Sequence, residues 1–389
     1  MKKIYIVKKL APWMVDEILE FSKHTQFEVL FLKKQTDFHK DNIEKLKGKG
    51  LTITNVEYKF KFITLKKVWV LLKFVITNIS SFLKNKYSTI VALNSALWFL
   101  FLDKKMLNNK NCSIHAQFAT QASVVAYLIK MHNGKETNYS FTVHAYDIFF
   151  NNAWFELLSK NCYKFYSISE FNISYIKKKY PNADFSKLEL MRLGTKRVEN
   201  YYKTDNNVFT LGLLSWFQEK KGIHFLLDAI KAIRAENINI KLILAGDGPL
   251  KGKILDTINE YQIADIIEYR GSVKAEQKEL FFENIDVFIL PAISVPNDMD
   301  GIPVVLMEAI ARGIPIISTS LSGIPEICVN NVNGLLIEEK SIEAIKTAIN
   351  YFVEHPESIS DFKKGALDVF QNYDIEKNSY NKIKNLDWI

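Results

Sequence analysis

Short apolar, β-branched runs alternate along the chain with stretches whose apolar residues recur every three to four positions. The strand-like runs in the first half are IYIV (4–7), FEVLFL (27–32), STIVAL (88–93), CSIHAQF (112–118), NYSFTVHA (138–145) and KFYSIS (164–169). In the second half they are VFTLGLLS (208–215), IKLILAG (240–246), IIEYRG (266–271), VFILPA (287–292), PIISTS (315–320) and NGLLI (333–337). Between them lie amphipathic segments such as GIHFLLDAIKAIRAEN (222–237). Strands alternating with helices predict parallel sheets covered by helices, an α/β fold of two Rossmann-like domains. The polar, aperiodic segment TKRVENYYKTDNN (195–207) separates the two series and is the expected linker. The predicted domains are 1–195 and 206–372, with a C-terminal helix over 373–389 that could cross back to the first.

A length of 389 residues suits two domains of this size, and 48% apolar with 24% charged residues is ordinary globular composition. Charge is unevenly distributed along the chain. Residues 1–200 carry 32 Lys and Arg against 16 Asp and Glu, and the remainder carries 19 against 27. The first half alone is basic, which suits an anionic surface, either a membrane or a nucleic acid, or else solvated helix faces. Within it, KFKFITLKKVWVLLKFVITNISSFLKNKY (59–87) mixes apolar residues with lysines. Its apolar run from Val68 to Leu83 is broken by Lys73 and falls short of the roughly 20 residues of a spanning helix. A basic amphipathic helix in the headgroup region is one reading, and a core-facing helix with a wet lysine side is the other. Three cysteines, Cys112, Cys162 and Cys328, favour neither a disulfide framework nor a zinc site. The N-terminus lacks the pattern of a signal peptide, so a cytoplasmic location is expected.

In open α/β sheets ligands bind beyond the carboxyl ends of strands, which singles out four places. Gly246 and Gly248 in LILAGDGPL follow a strand, where they could let backbone N–H groups approach a phosphate or simply form a tight turn. Lys220 and Lys221 precede Gly222 at a helix start and suit a diphosphate. His144 and Asp147 follow a strand of the first domain, as cleft-facing groups or as structural ones. The fourth place, DMDGIPVVLMEAIARG (298–313), can be read two ways. Asp298 and Asp300 could clamp a metal, or Asp300 and Glu308 could flank an anion site as acceptors for hydroxyls, with Pro303 at the first helical position.

The second half resembles the retaining glycosyltransferases of family 4, with the GT-B fold. The resemblance rests on KKG (220–222), AGDGPL (245–250), YRGSV (269–273), DVFILPA (286–292), DGIPVVLMEAIARGIPIIST (300–319) and SGIPEI…NGLLI (322–337). The first half looks like the subset that builds extracellular and capsular polysaccharides, including colanic acid glycosyltransferases, through IHAQFAT, SFTVHAYDIF, YSISEFNISYI and LGT. The resemblance implies two domains facing across a cleft, a nucleotide diphosphate sugar as donor and no metal cofactor. It implies that Glu308 holds the donor ribose and that Asp300, where the family has glutamate, faces the donor sugar. Gly301, Ile302 and Pro303 would present backbone groups to sugar and phosphate, and Val273 would lie by the nucleobase. Lys221, with Lys220 beside it, would clamp the diphosphate; the family arginine before it is absent, since no basic residue lies between Val208 and Glu219. In the first domain His144 would lie by the reacting sugar, with Asp147, Ser169 and Gly194 lining the cleft. Gln117 stands where many relatives have a second histidine, which weakens a role for that position. The implied acceptor is a lipid-linked saccharide at the inner face of the cell membrane, the basic domain meeting its anionic surface. Nucleic acid is not expected as a partner, since no recognition motif accompanies the charge. The alternatives are an epimerase or hydrolase on the same scaffold and a catalytically weak binding partner in a polysaccharide assembly complex.

Overall fold

The computed structural model describes residues 1–33, 40–107, 111–150, 152–199, 208–274 and 276–389, so residues 200–207 of the expected linker lie outside the described residues. The chain divides into one unit of Met1–Leu193 with Ile375–Ile389 and a second of Gly194–Asp374.

Among the described residues the first unit holds seven strands: β1 (Lys2–Val7), β2 (Glu28–Phe31), β3 (Thr52–Asn55), β4 (Cys112–Gln117), β5 (Asn138–Val143), β6 (Phe165–Ser167) and β7 (Leu188–Leu190). They form one parallel sheet in the order β3-β2-β1-β4-β5-β6-β7, registered for example by Ile6 against Leu30 and Ala116. Its helices are α1 (Pro12–Ser22), α2 (Lys40–Gly48), α3 (Leu65–Thr77), α4 (Ile79–Lys84), α5 (Lys86–Leu100), α6 (Lys104–Leu107), α7 (Gln121–Asn133), α8 (Ala145–Phe149), α9 (Phe155–Asn161) and α10 (Glu170–Lys179).

Among its described residues the second unit has six parallel strands: β8 (Phe209–Trp216), β9 (Ile240–Asp247), β10 (Ile267–Gly271), β11 (Val287–Leu290), β12 (Ile316–Thr319) and β13 (Gly334–Ile337). Their order is β10-β9-β8-β11-β12-β13. Its helices are α11 (Ile223–Ala235), α12 (Lys251–Glu260), α13 (Glu276–Glu283), α14 (Val304–Ile310), α15 (Ile342–Glu354) and α16 (Ile359–Phe370). In both sheets the strand order reverses once, between β1 and β4 and between β8 and β11, and such a reversal opens a crevice at the carboxyl ends of the strands.

Helix α17 (Ile375–Asn385) follows the second unit in sequence but belongs to the first. The reason is apolar: Ile383, Leu386 and Trp388 are buried in the same cluster as Tyr5, Ile18, Phe21 and Phe27. Burying each such side chain stabilises by about 1.5–3 kcal/mol. The Trp388 indole N–H also donates to Ser113 Oγ at 2.8 Å.

One predicted strand is corrected. STIVAL (88–93) lies inside α5, because Asn85 accepts a hydrogen bond from the Ser88 N–H at 2.7 Å and caps a 15-residue helix. Its buried residues Ser88, Val91, Ala92, Ser95, Trp98 and Phe99 recur every three to four positions, a period that the six-residue window concealed. Ile90, Leu93 and Leu97 are exposed on the same helix. Two edge strands, β3 and β7, have little apolar signal in sequence and are partly exposed. The apolar run from Val68 to Leu83 is split at Asn78 into α3 and α4, and no described helix is long and apolar enough to cross a membrane. All three cysteines are free and buried.

Candidate functional site

In the second unit the segments leaving β8 and β11 are stitched together at the sheet's reversal point. The Ile293 N–H donates to the Lys220 carbonyl at 2.8 Å. Gly222 adopts φ +65°, and a Cβ there would stand 1.9 Å from the Pro291 carbonyl oxygen, so only glycine fits the approach. This places Lys220 and Lys221 against the loop before α14. Lys221 Nζ lies 2.6 Å from Asp300 Oδ2, and Lys220 Nζ lies 3.0 Å from Asp298 Oδ1 and 3.5 Å from Asp300 Oδ1. Asp298 is therefore part of the cluster, a partner that sequence alone offered only as half of a metal clamp. The lysine ammonium groups sit where that reading puts the metal. Among the described residues, no group of three or more His, Cys, Asp or Glu is arranged to hold a metal ion.

Pro303 departs from expectation. It is the residue before α14, with ψ 127°, and the first helical residue is Val304. Proline fixes φ alone, so its ring tolerates the extended conformation of a capping position equally well. Ile302 and Pro303 are buried and Gly301 is half-buried. Glu308, the fifth residue of α14, pairs with Lys278 of α13 at 2.7 Å. One turn on, Arg312 forks onto Glu279 at 2.6 Å and lies over the Phe282 ring at 4.3 Å. These two pairs clamp α13 to α14 and fix where Glu308 points. Gly246 and Gly248 have positive φ, and a Cβ on either would meet the backbone of Ser215 or Phe217 within 2.6 Å. Their close approach is thus to the chain's own neighbouring strand. Val273 is half-buried in the loop after β10, and Gly194 is half-buried at the start of this unit.

In the first unit His144 caps α8 directly after β5 and is buried, with ring centroids 5.0 Å from Trp13 and 4.4 Å from Phe118. Its Nε2 lies 2.8 Å from Gln117 Oε1. The Gln117 amide nitrogen donates to Tyr5 Oη and to Glu17 Oε2, each at 2.5 Å, which turns its carbonyl toward His144. His144 must then donate from Nε2, leaving Nδ1 unprotonated. Tyr5 donates to Glu17, and Glu17 is paired with Lys382 of α17 at 2.6 Å, the two side chains 9% and 3% exposed. Burial, followed by the Lys382 charge, depresses the His144 pKa to about 3, so the ring is neutral near pH 7. Gln117, discounted from sequence, is the residue that orients His144. Phe118 beside it holds φ 73°, a strained conformation for an aromatic residue.

Asp147 and Ser169 are not open cleft groups. The Asp147 carboxylate accepts the His144 backbone N–H at 2.9 Å, and burial pushes its pKa up to about 7. The Ser169 hydroxyl, fully buried, accepts the Asn172 N–H at 3.1 Å and caps α10. Sequence reasoning missed Glu17, Lys382 and Lys278. Glu17 and Lys382 lie 365 positions apart and no local pattern links them; Lys278 looks like any helix-surface lysine.

Residues 196–368 match the family model for Glycosyl transferases group 1. A stretch of 135 residues is 36% identical to a protein of Salmonella typhimurium assigned to colanic acid biosynthesis as a glycosyltransferase, covering 34% of this chain and 33% of that one. A stretch of 128 residues is 32% identical to an amylovoran biosynthesis glycosyltransferase of Erwinia amylovora, covering 33% and 31%. These alignments span about a third of the length of either relative. The Anabaena protein HepE, crystallised with UDP and glucose, aligns over 100% of this chain and 99% of its own with a TM-score of 0.72 at 14% identity, a likeness of fold alone. Both units thus have the parallel-sheet architecture of GT-B proteins, and residues 196–368 carry a domain of the glycosyl transferases group 1 family.

Proposed function

We propose that this chain is a retaining, metal-independent glycosyltransferase that moves a sugar from a nucleotide diphosphate sugar to a lipid-linked saccharide in cell-surface polysaccharide synthesis. The observation that carries the reading is the cluster of Lys220, Lys221, Asp298 and Asp300 at the β8/β11 reversal point, followed by α14 with Glu308 as its fifth residue. Lys221 and Lys220 compensate the charge that grows on the leaving diphosphate, and Lys220 supplies the second positive charge that the missing arginine would carry. Asp300 accepts from hydroxyls of the donor sugar and Glu308 from those of the ribose. Gly301, Ile302, Pro303 and Val273 contribute backbone contacts, and Gly246 and Gly248 shape the neighbouring turn. Within the first unit, His144 is neutral, held by Gln117 at its ring and by Asp147 at its backbone N–H, while Ser169 caps α10.

In the reaction the bond from the anomeric carbon to the diphosphate oxygen breaks, its electron pair leaving with the nucleotide. The acceptor oxygen bonds the same carbon from the same face and its proton passes to the departing oxygen. Neutral His144, already a donor through Nε2, is not needed as the base. Positioning and charge compensation supply the catalysis. The lysine partners of both aspartates support metal independence, and the relatives' named roles support polysaccharide synthesis. The acceptor's lipid would bring the basic first unit to the anionic inner face of the cell membrane. The experiment is a panel of UDP- and GDP-linked sugars, with nucleotide release followed in EDTA and the product's anomeric configuration read by NMR. Retention without metal is the expected result; inversion, a metal requirement, an isomerised donor or free sugar as sole product overturns the reading.

A further inference from the structure

Thirteen of the twenty-three large apolar side chains exposed among the described residues fall between Tyr58 and Leu97. They are ordered rather than scattered. On α3 the exposed stripe is Leu65, Trp69, Leu72 and Ile76, at 90, 64, 56 and 71% exposure, spaced three or four apart. The inward stripe of the same helix is Lys67, Val70 and Phe74. Ile79 and Leu83 repeat the pattern on α4, which packs against α3, and the exposed positions of α5 continue it. Single exposed apolar residues are unremarked on monomer surfaces, but an array across three neighbouring helices marks a contact surface.

The charges identify the partner. From Tyr58 to Leu102 the sequence has seven lysines and no aspartate or glutamate. Six of the lysines are exposed. The seventh, Lys67, is buried and donates to the carbonyls of Phe62, Leu100 and Leu102 at 2.8, 2.9 and 2.6 Å. That lysine ties the start of α3 to the end of α5, so the face sits on a fixed frame. Lys73 Nζ lies 5.7 Å over the ring of Trp69, joining an amphipathic aromatic to a cation as residues at a headgroup boundary do. A second copy of the chain would set one acid-free, lysine-rich face against another, which repels. An anionic bilayer complements both parts, with acyl chains for the apolar stripe and headgroups for the lysines.

We propose that the face formed by α3, α4 and α5 docks this chain on an anionic lipid bilayer, with α3 lying in the interface plane. The proposal names the membrane partner of the function proposed above and rests on that reading only for the acceptor's location. It is tested with the full chain and vesicles of phosphatidylcholine, with or without about a third phosphatidylglycerol. Binding is read by co-sedimentation and by quenching of Trp69 fluorescence with brominated lipid. The chain should bind the phosphatidylglycerol vesicles, lose binding as salt is raised, and show quenching that Trp69→Phe removes. Leu72→Glu with Ile76→Glu, at exposed positions, should keep its thermal transition and weaken binding by about tenfold or more, and Lys66→Ala with Lys73→Ala should reduce the preference for phosphatidylglycerol. Equal binding by the glutamate variant, no binding to anionic vesicles, or a concentration-dependent dimer that the glutamate variant abolishes would overturn it. Nucleotide release with a water-soluble acceptor should be unchanged in the glutamate variant. Vesicle binding without any transfer in the wild type would fault the enzymatic reading alone.

Discussion

Replacing Lys382 with methionine keeps the side chain's length and its packing over Phe21 while removing the charge that neutralises Glu17. Both members of the pair are almost fully buried, and breaking such a pair from one side typically costs about 3–5 kcal/mol because the remaining charge has no solvent. Tyr5 and Gln117 still donate to Glu17, so the lower end of that range is expected. For a unit of this size each kcal/mol moves the midpoint by about 2–4 °C, giving a fall of about 10 °C in the first unit's transition. Calorimetry resolves this, with the second unit's transition as internal reference. The double variant Glu17→Gln/Lys382→Met removes both charges and should recover about 2 kcal/mol or more of the loss. The Lys382 charge also lowers the His144 pKa, so the single variant should raise it, measurable by NMR of the imidazole. A Lys382→Met midpoint within about 1 °C of wild type, or strict additivity in the double variant, would mean that the two buried charges do not depend on each other.

His144 is depressed from 6.5 to about 3, so its contribution to stability is complete above pH 6.5 and is lost as pH falls toward 3. Asp147 is raised from 3.8 to about 7, so its contribution is complete below 3.8 and is lost as pH rises through 7. Between pH 4 and 6.5 the two oppose each other. His144→Asn should therefore gain about 3 kcal/mol over wild type in urea unfolding as pH drops across that interval; parallel curves would contradict it. Asp298→Asn frees Lys220 from a half-exposed partner and should tighten nucleoside diphosphate binding by about two- to fivefold in calorimetric titration. Gly222→Ala forces a Cβ into the Pro291 carbonyl at positive φ and should lower the second unit's midpoint, whereas Gly252→Ala, with open space around it, should not.

Much of the architecture was legible in the alternation of apolar runs, because parallel strands buried on both faces read as continuous stretches. The exception, α5, shows the limit: a six-residue apolar window such as STIVAL has no period of its own, and the deciding cap at Asn85 lies outside it. The chemistry of the second unit was readable because KKG and DGIPVVLMEA are local motifs whose residues end up as ion-pair partners, Lys221 with Asp300. What the sequence concealed depends on long-range placement. Gln117 orients His144 only because β4 lies beside β5, and Glu17 meets Lys382 only because α17 folds onto the first unit. Lys278 reaches Glu308 across two helices, which no spacing rule encodes.

The most direct test compares nucleoside diphosphate release by the purified chain and by Glu308→Ala, in EDTA, with the donor that the panel selects. A loss of about a hundredfold in turnover with an unchanged thermal midpoint is the predicted result, since Glu308 would hold the ribose while α14 stays clamped through Arg312 and Glu279. Undiminished release by Glu308→Ala would contradict the assignment of the donor site.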